Sequence, residues 1–117
     1  MSAIRVLAYL FGLIFVSIGV LGFMPSYTPN GMLFGMFAVD DLHNLVHIFS
    51  GMVALILAMD SVYSRWFFRI FGLVYLVIGI IGLAMPDMMH MMAMNTADHG
   101  LHLGLGIVML LIGIVVK

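Results

Sequence analysis

The sequence predicts an all-α integral membrane protein, a four-helix bundle of up-down topology, and three observations carry that prediction. The first is composition. Of 117 residues, 65% are apolar and 8% charged, and the mean hydropathy is +1.28. Soluble domains carry about a quarter charged residues to wet their exterior, whereas this chain has four basic and five acidic side chains and no Glu. The second is the arrangement of apolar residues in four unbroken runs near 5–24, 42–59, 66–85 and 98–116. Each falls in the range of about 17 to 25 residues that crosses a bilayer as helix. Such runs are about twice the length of a barrel strand and do not alternate in period two. The third is that Arg5, Arg65, Arg69 and Lys117 all fall on one side of four spans, which the positive-inside rule makes cytoplasmic.

The first span, with one early Arg and a long apolar stretch, could be read as a secretory signal. It is expected to stay, because no A-x-A-like site follows it and its apolar core exceeds a usual signal h-region. The connection after it holds Pro25, Ser26, Pro29, Asn30 and Gly31, all turn formers. Within it, Met32-Leu33-Phe34-Gly35-Met36-Phe37 reads as interfacial or re-entrant. The second connection runs only from Asp60 to Arg65. The third opens at Pro86-Asp87 and closes near Asn95-Thr96. Asp40, Asp41, Asp87 and Asp98 fall in or beside the first and third connections, without any Lys or Arg, as expected of the outer face of a bacterial inner membrane. Tyr9, Tyr63, Trp66 and Tyr75 include expected inner-interface anchors.

The chain reads as one domain, 1–117, made of two halves near 5–60 and 65–117. Residues 11–23 overlay 71–83 with six identities in thirteen, three of them glycines in register. The second span of each half then aligns with His47 on His102 and Gly51 on Gly106. Two spans per unit give the halves parallel topology about an axis along the membrane normal. Gly12, Gly19 and Gly22, their mates Gly72, Gly79 and Gly82, and the Gly100-x-x-x-Gly104 pair are spaced for close helix approach. Packing inside the bundle is the expected use, with a homo-oligomer seam as the alternative.

Net charge of −1 gives no basic field for nucleic acid. Zero Cys removes disulfides, thiolate metal sites and cysteine nucleophiles. Chemistry therefore rests on His, Asp and Met. On the second span Asp40, His43, Asn44 and His47 share one face, and on the fourth Asn95, Asp98, His99 and His102 do the same, each within an arc of roughly 100°. Ionisable groups at membrane depth normally face the bundle interior and find partners there. His43 and His47 at i, i+4 can hold one ion, and Asp98 and His102 offer a matching pair. Three imidazoles and a carboxylate suit Zn or Cu(II), with Asp40, Asn44, Asn95 and His99 as supporting hydrogen-bond partners.

Three other readings stay open. Capping explains Asp40, Asn95 and Asp98 without any ligand, and the histidines could hydrogen-bond across to Asp98 and Asn95 as a polar plug that pins the halves in register. Haem b could be held between His47 and His102, although no Arg or Lys lies on that side for its propionates. Proton transfer lacks a continuing chain of acid-base groups, because both spans turn apolar below Gly51 and Gly106. An enzyme has the least support, for want of a recognisable substrate-binding segment or a Ser-His-Asp ordering. Separately, the stretch 85–94, entering the third connection, holds six of the thirteen methionines. Met88, Met89, His90, Met91, Met92 and Met94 suit Cu(I), or simply a pliable apolar loop lying on headgroups.

The stretch 34–47, ending His43-Asn44-Leu45-Val46-His47, and the segment Asn95-Thr96-Ala97-Asp98-His99-Gly100-Leu101-His102 resemble a bacterial family of small four-helix membrane proteins classed as a domain of unknown function. The resemblance spans nearly the whole chain. It implies the four-span architecture and marks His43, Asn44, His47, Asn95, Asp98 and His102 as the family's polar signature, with no activity attached; the methionine run lies outside that signature. The expectation is a multi-pass bacterial inner-membrane protein without a sizeable aqueous domain, its partner the lipid bilayer, binding Zn or Cu near its outer face or using the cluster as a register pin, with a homo-oligomer or another membrane protein as further partner.

Overall fold

The computed structural model describes residues 1–88 and 90–117. Four helices carry the fold: α1 (Ala3–Leu21), α2 (Asp41–Leu57), α3 (Ser61–Ala84) and α4 (Thr96–Val115). Each buries one narrow stripe at helical spacing. In α1 the stripe is Ile4, Ala8, Gly12, Phe15 and Gly19, and in α3 it includes Phe68, Gly72, Tyr75, Gly79 and Gly82. The opposite faces are apolar and exposed, with Leu13, Ile14, Ile56, Ile70 and Ile114 all more than half accessible. Small, aromatic and polar residues inside with large aliphatic ones outside depart from the soluble pattern, and lipid is the solvent that stabilises such a surface.

The helices pair as two antiparallel hairpins, α1 with α2 and α3 with α4, whose backbones meet at glycines. A Cβ on Gly51 would lie 2.7 Å from the Gly12 carbonyl oxygen, and one on Gly79 would lie 2.5 Å from the Leu103 nitrogen. No side chain fits at such separations. Gly100 and Gly104 behave otherwise, having open space where a Cβ would go; the expectation that they pack inside the bundle is corrected. Between the hairpins run two apolar grooves. One, of about 320 Å³, is lined by Phe11, Ile14, Phe15, Ile18, Leu101 and Leu105. The other, of about 280 Å³, includes Phe71, Val74, Tyr75, Ile78, Val46 and Ser50, the positions the sequence overlay pairs with the first six.

Three helices are long and apolar enough to cross a membrane, while α2 has 17 residues. At 1.5 Å per residue it spans about 26 Å, less than the roughly 30 Å hydrocarbon core. Its first two turns also carry the polar face, so the expected run 42–59 is the shortest span. By contrast α3 begins at Ser61, five positions before the expected start at 66, because the Asp60 side chain accepts from the Val62 and Tyr63 N–H groups (2.8 and 3.2 Å). That cap tightens the second connection to a turn.

The first connection forms a lid across the end of the bundle. After two 3₁₀ turns, Pro25–Tyr27 and Pro29–Gly31, strands β1 (Met32–Leu33) and β2 (Phe37–Ala38) pair antiparallel. Phe34 and Gly35 turn the chain with φ of 55° and 72°, the positive pair that a tight hairpin demands. Leu33 is buried beneath it, while Phe34 and Met36 are exposed at its tip. Met32–Phe37 is thus a surface hairpin rather than a re-entrant segment. Its anchor is Asn95, whose Nδ2 donates to the Met36 carbonyl (2.8 Å).

Candidate metal centre

The first turns of α2 and α4 meet beneath this lid. Asp40 caps α2, its Oδ1 accepting from the His43 N–H (2.9 Å). Asn95 and Asp98 close a reciprocal box at the start of α4: the Asp98 N–H donates to Asn95 Oδ1 (3.0 Å) and the Asn95 N–H to Asp98 Oδ2 (2.9 Å). These caps fix where each helix begins and therefore which way its histidines project. From α2, His43 and His47 turn inward one helical turn apart. From α4, His102 turns to meet them.

The three imidazoles are buried, and each offers a ring nitrogen within 4.8 Å of the others. Their ring centroids form a triangle of 4.5 Å (His43 to His47), 5.6 Å (His43 to His102) and 6.2 Å (His47 to His102). Between them lies a cavity of about 20 Å³, walled also by Val46, Tyr75, Ile78, Met92 and Met94. That is the room of about one water. His43 Nδ1 lies 2.8 Å from the Ala93 carbonyl oxygen and must be the donor, because a carbonyl only accepts. The ring's lone pair is then on Nε2, which is buried with no hydrogen-bond partner. His47 Nδ1 and His102 Nδ1 are likewise buried and unpartnered.

The other sequence-selected residues are placed elsewhere. Asp98 is buried but its carboxylate is engaged in the α4 cap, and it is not among the groups whose ligand atoms converge. Asn44 lies on the Gly22 backbone and His99 on that of Gly82, where any Cβ would overlap the polar side chain. Both are packing contacts within a hairpin. Of the four expected supporting residues, Asp40 alone reaches the cluster. Its Oδ2 accepts from the Ala93 N–H (2.7 Å) while His43 takes the carbonyl of the same residue. The plug's proposed bonds from His43 or His47 to Asp98 or Asn95 do not occur among the described residues, since Asn95 and Asp98 bond each other.

Within the methionine-rich connection, Met92 and Met94 reach the cavity. Met88, His90 and Met91 are exposed, and Met89 lies outside the described residues. One wall was missed by the sequence reading. Tyr75, expected as an interface anchor, is 3% exposed in the core, with its ring 5.5 Å from that of His102. Ser50 uses its proton on the Val46 carbonyl (2.8 Å), so the Tyr75 hydroxyl donates to Ser50 Oγ at 2.8 Å. The available signal was the overlay, in which Tyr75 replaces Phe15 on a buried stripe and adds one hydroxyl.

Chemically, three buried imidazoles whose ring nitrogens lie within 4.8 Å of one another, beside a small cavity with apolar walls, make a candidate cation site of borderline softness. Tetrahedral coordination at about 2.0–2.1 Å would place the nitrogens about 3.3 Å apart, inside the 4.8 Å within which they lie here. No curated protein and no solved structure matches the chain. The model of one family, described as Domain of unknown function (DUF4383), matches residues 5–115. That match takes in the four helices but for the first two residues of α1, and every residue of the buried cluster, and on it the chain belongs to the DUF4383 family.

Proposed function

We propose that the protein is a bacterial inner-membrane bundle that binds one transition-metal ion, Zn or Cu, through His43, His47 and His102. The observation that supports this most is the convergence of three buried imidazoles, each with a ring nitrogen within 4.8 Å of the others and each with a ring nitrogen left without a partner, beside a small cavity. A buried polar atom left unpaired costs about 1–3 kcal/mol, and an ion would satisfy all three together. The Ala93 carbonyl orients His43 in the manner of the outer hydrogen bonds that aim metal-bound histidines. A cavity of about 20 Å³ favours an ion over haem b, since pockets for organic ligands run to about 300–1,000 Å³. Asp98 is then a fourth ligand only if the α4 cap opens. The matched grooves and glycine contacts support the reading of two repeats, and the one-sided basic residues support cytoplasmic termini with the site on the outer side.

The register pin between the halves is a second reading, favoured by a specific observation: Asp40 Oδ2 accepts from the Ala93 N–H (2.7 Å) and His43 Nδ1 lies 2.8 Å from the carbonyl of the same residue, tying α2 to the segment before α4. The test is elemental analysis with a visible spectrum, on protein purified in mild detergent without chelator or a His-rich tag. We expect about one Zn or Cu per chain, lost in the His47→Phe, His102→Leu double substitution together with any metal-dependent rise in Tm. Metal-free wild type that gains no stability from added Zn or Cu would overturn the site. A reporter fused after Lys117 that is active only outside the cytoplasm would overturn the orientation.

A further inference from the structure

Resting on that reading of the site, we infer that its ion is copper, taken as Cu(I), and that Met92 and Met94 complete the coordination. Three imidazoles alone do not choose between Zn and copper. The third connection adds the missing discrimination, because two of its thioether-bearing residues line the same cavity as His43, His47 and His102. Thioether sulfur is a soft ligand that favours Cu(I) and has little affinity for Zn.

Their presence at the cavity is built into the backbone. Ala93, between them, is held on both sides of its polar main chain, its N–H by Asp40 Oδ2 (2.7 Å) and its carbonyl by His43 Nδ1 (2.8 Å). One helix start thus fixes a ligand histidine and the methionine segment together. Closing the ligand set with Met92 and Met94, both half-buried, leaves Met88 and Met91 of the same connection exposed. The bland alternative is that Met92 and Met94 are only an apolar cover, and Leu would serve that purpose equally well.

The experiment uses the full chain in detergent under nitrogen. Cu(I) affinity is measured by competition with a chromophoric Cu(I) chelator, and Zn(II) affinity by competition with a zinc indicator. Wild type should bind both, Cu(I) more tightly. Met92→Leu with Met94→Leu, a swap of similar volume, should weaken Cu(I) at least tenfold and leave Zn(II) within threefold. Equal change in both metals, or no change in Cu(I), overturns the copper assignment while the histidine site stands. Zn(II) binding without Cu(I) binding does the same. Binding of neither metal overturns the site itself and the assignment with it. Should the double variant misfold, X-ray absorption on Cu(I)-loaded wild type decides: sulfur in the copper shell supports the inference, and nitrogen alone overturns it.

Discussion

The two ends of the bundle handle polar groups in opposite ways. At the end with the termini, charged and hydroxyl groups are used on the backbone. Arg5 Nε donates to the Ala58 carbonyl (2.7 Å) and Arg69 Nε to that of Gly113 (2.8 Å), covering the last turns of α2 and α4. Ser64 Oγ donates to the Asp60 carbonyl (2.8 Å), and Ser2 and Ser61 pair through their hydroxyls (2.7 Å). At the lid end the caps are satisfied in the same way, yet among the described residues four imidazoles, His43, His47, His99 and His102, and the Asn44 amide oxygen keep a buried polar atom without a partner. The unpaired atoms thus collect at one end, and on the proposed reading an ion would be the partner of those on His43, His47 and His102.

This contrast can be broken or sharpened by substitution. The largest effect is expected for Gly82→Ala, whose Cβ would overlap the His99 ring. Overpacking there should cost about 3 kcal/mol, read as a lowered Tm in detergent; an unchanged Tm would show that the His99 lock is not tight. Arg5→Leu or Arg69→Leu should each cost about 1 kcal/mol through the exposed last carbonyls and leave metal affinity within threefold. Loss of metal binding in either variant would erase the distinction between the ends. Asp98→Asn should also cost about 1 kcal/mol by weakening the α4 box. If it lowers metal affinity more than tenfold instead, the carboxylate joins the ligands as its position in the sequence implied. The smallest effect belongs to Gly104→Ala, which meets open space and should change stability by no more than about 1 kcal/mol, in the favourable direction.

Much of this was legible because it depends on periodicity and residue type. Four apolar runs gave four helices within a few residues, and the i, i+4 histidines and the overlay of His47 on His102 brought three imidazoles together. Caps were harder to read, since the same Asp can end a helix or bind an ion. Asp98 was expected at the metal and is engaged with Asn95; Asp60 moved the start of α3 forward by a turn. Asn44 and His99 carry the right chemistry but face glycine, and only the backbone approach of Gly22 and Gly82 reveals it. The meeting of Met92 and Met94 with the histidines was illegible, because it depends on the main chain of Ala93, a residue with no chemistry of its own.

The seam between the hairpins gives the site a mechanical character. His43 and His47 stand on one hairpin, His102 on the other, and along their flanks the halves are separated by grooves that protein side chains leave open to the acyl chains around them. An ion bound by all three rings would therefore act as a rivet across a joint otherwise held by a few hydrogen bonds, among them those of Asp40 and His43 to Ala93, Asn95 to Met36 and Tyr75 to Ser50. Its strength would depend on how firmly the surrounding bilayer squeezes the halves together, so the thickness and order of the membrane would tune the grip of the centre without touching any ligand.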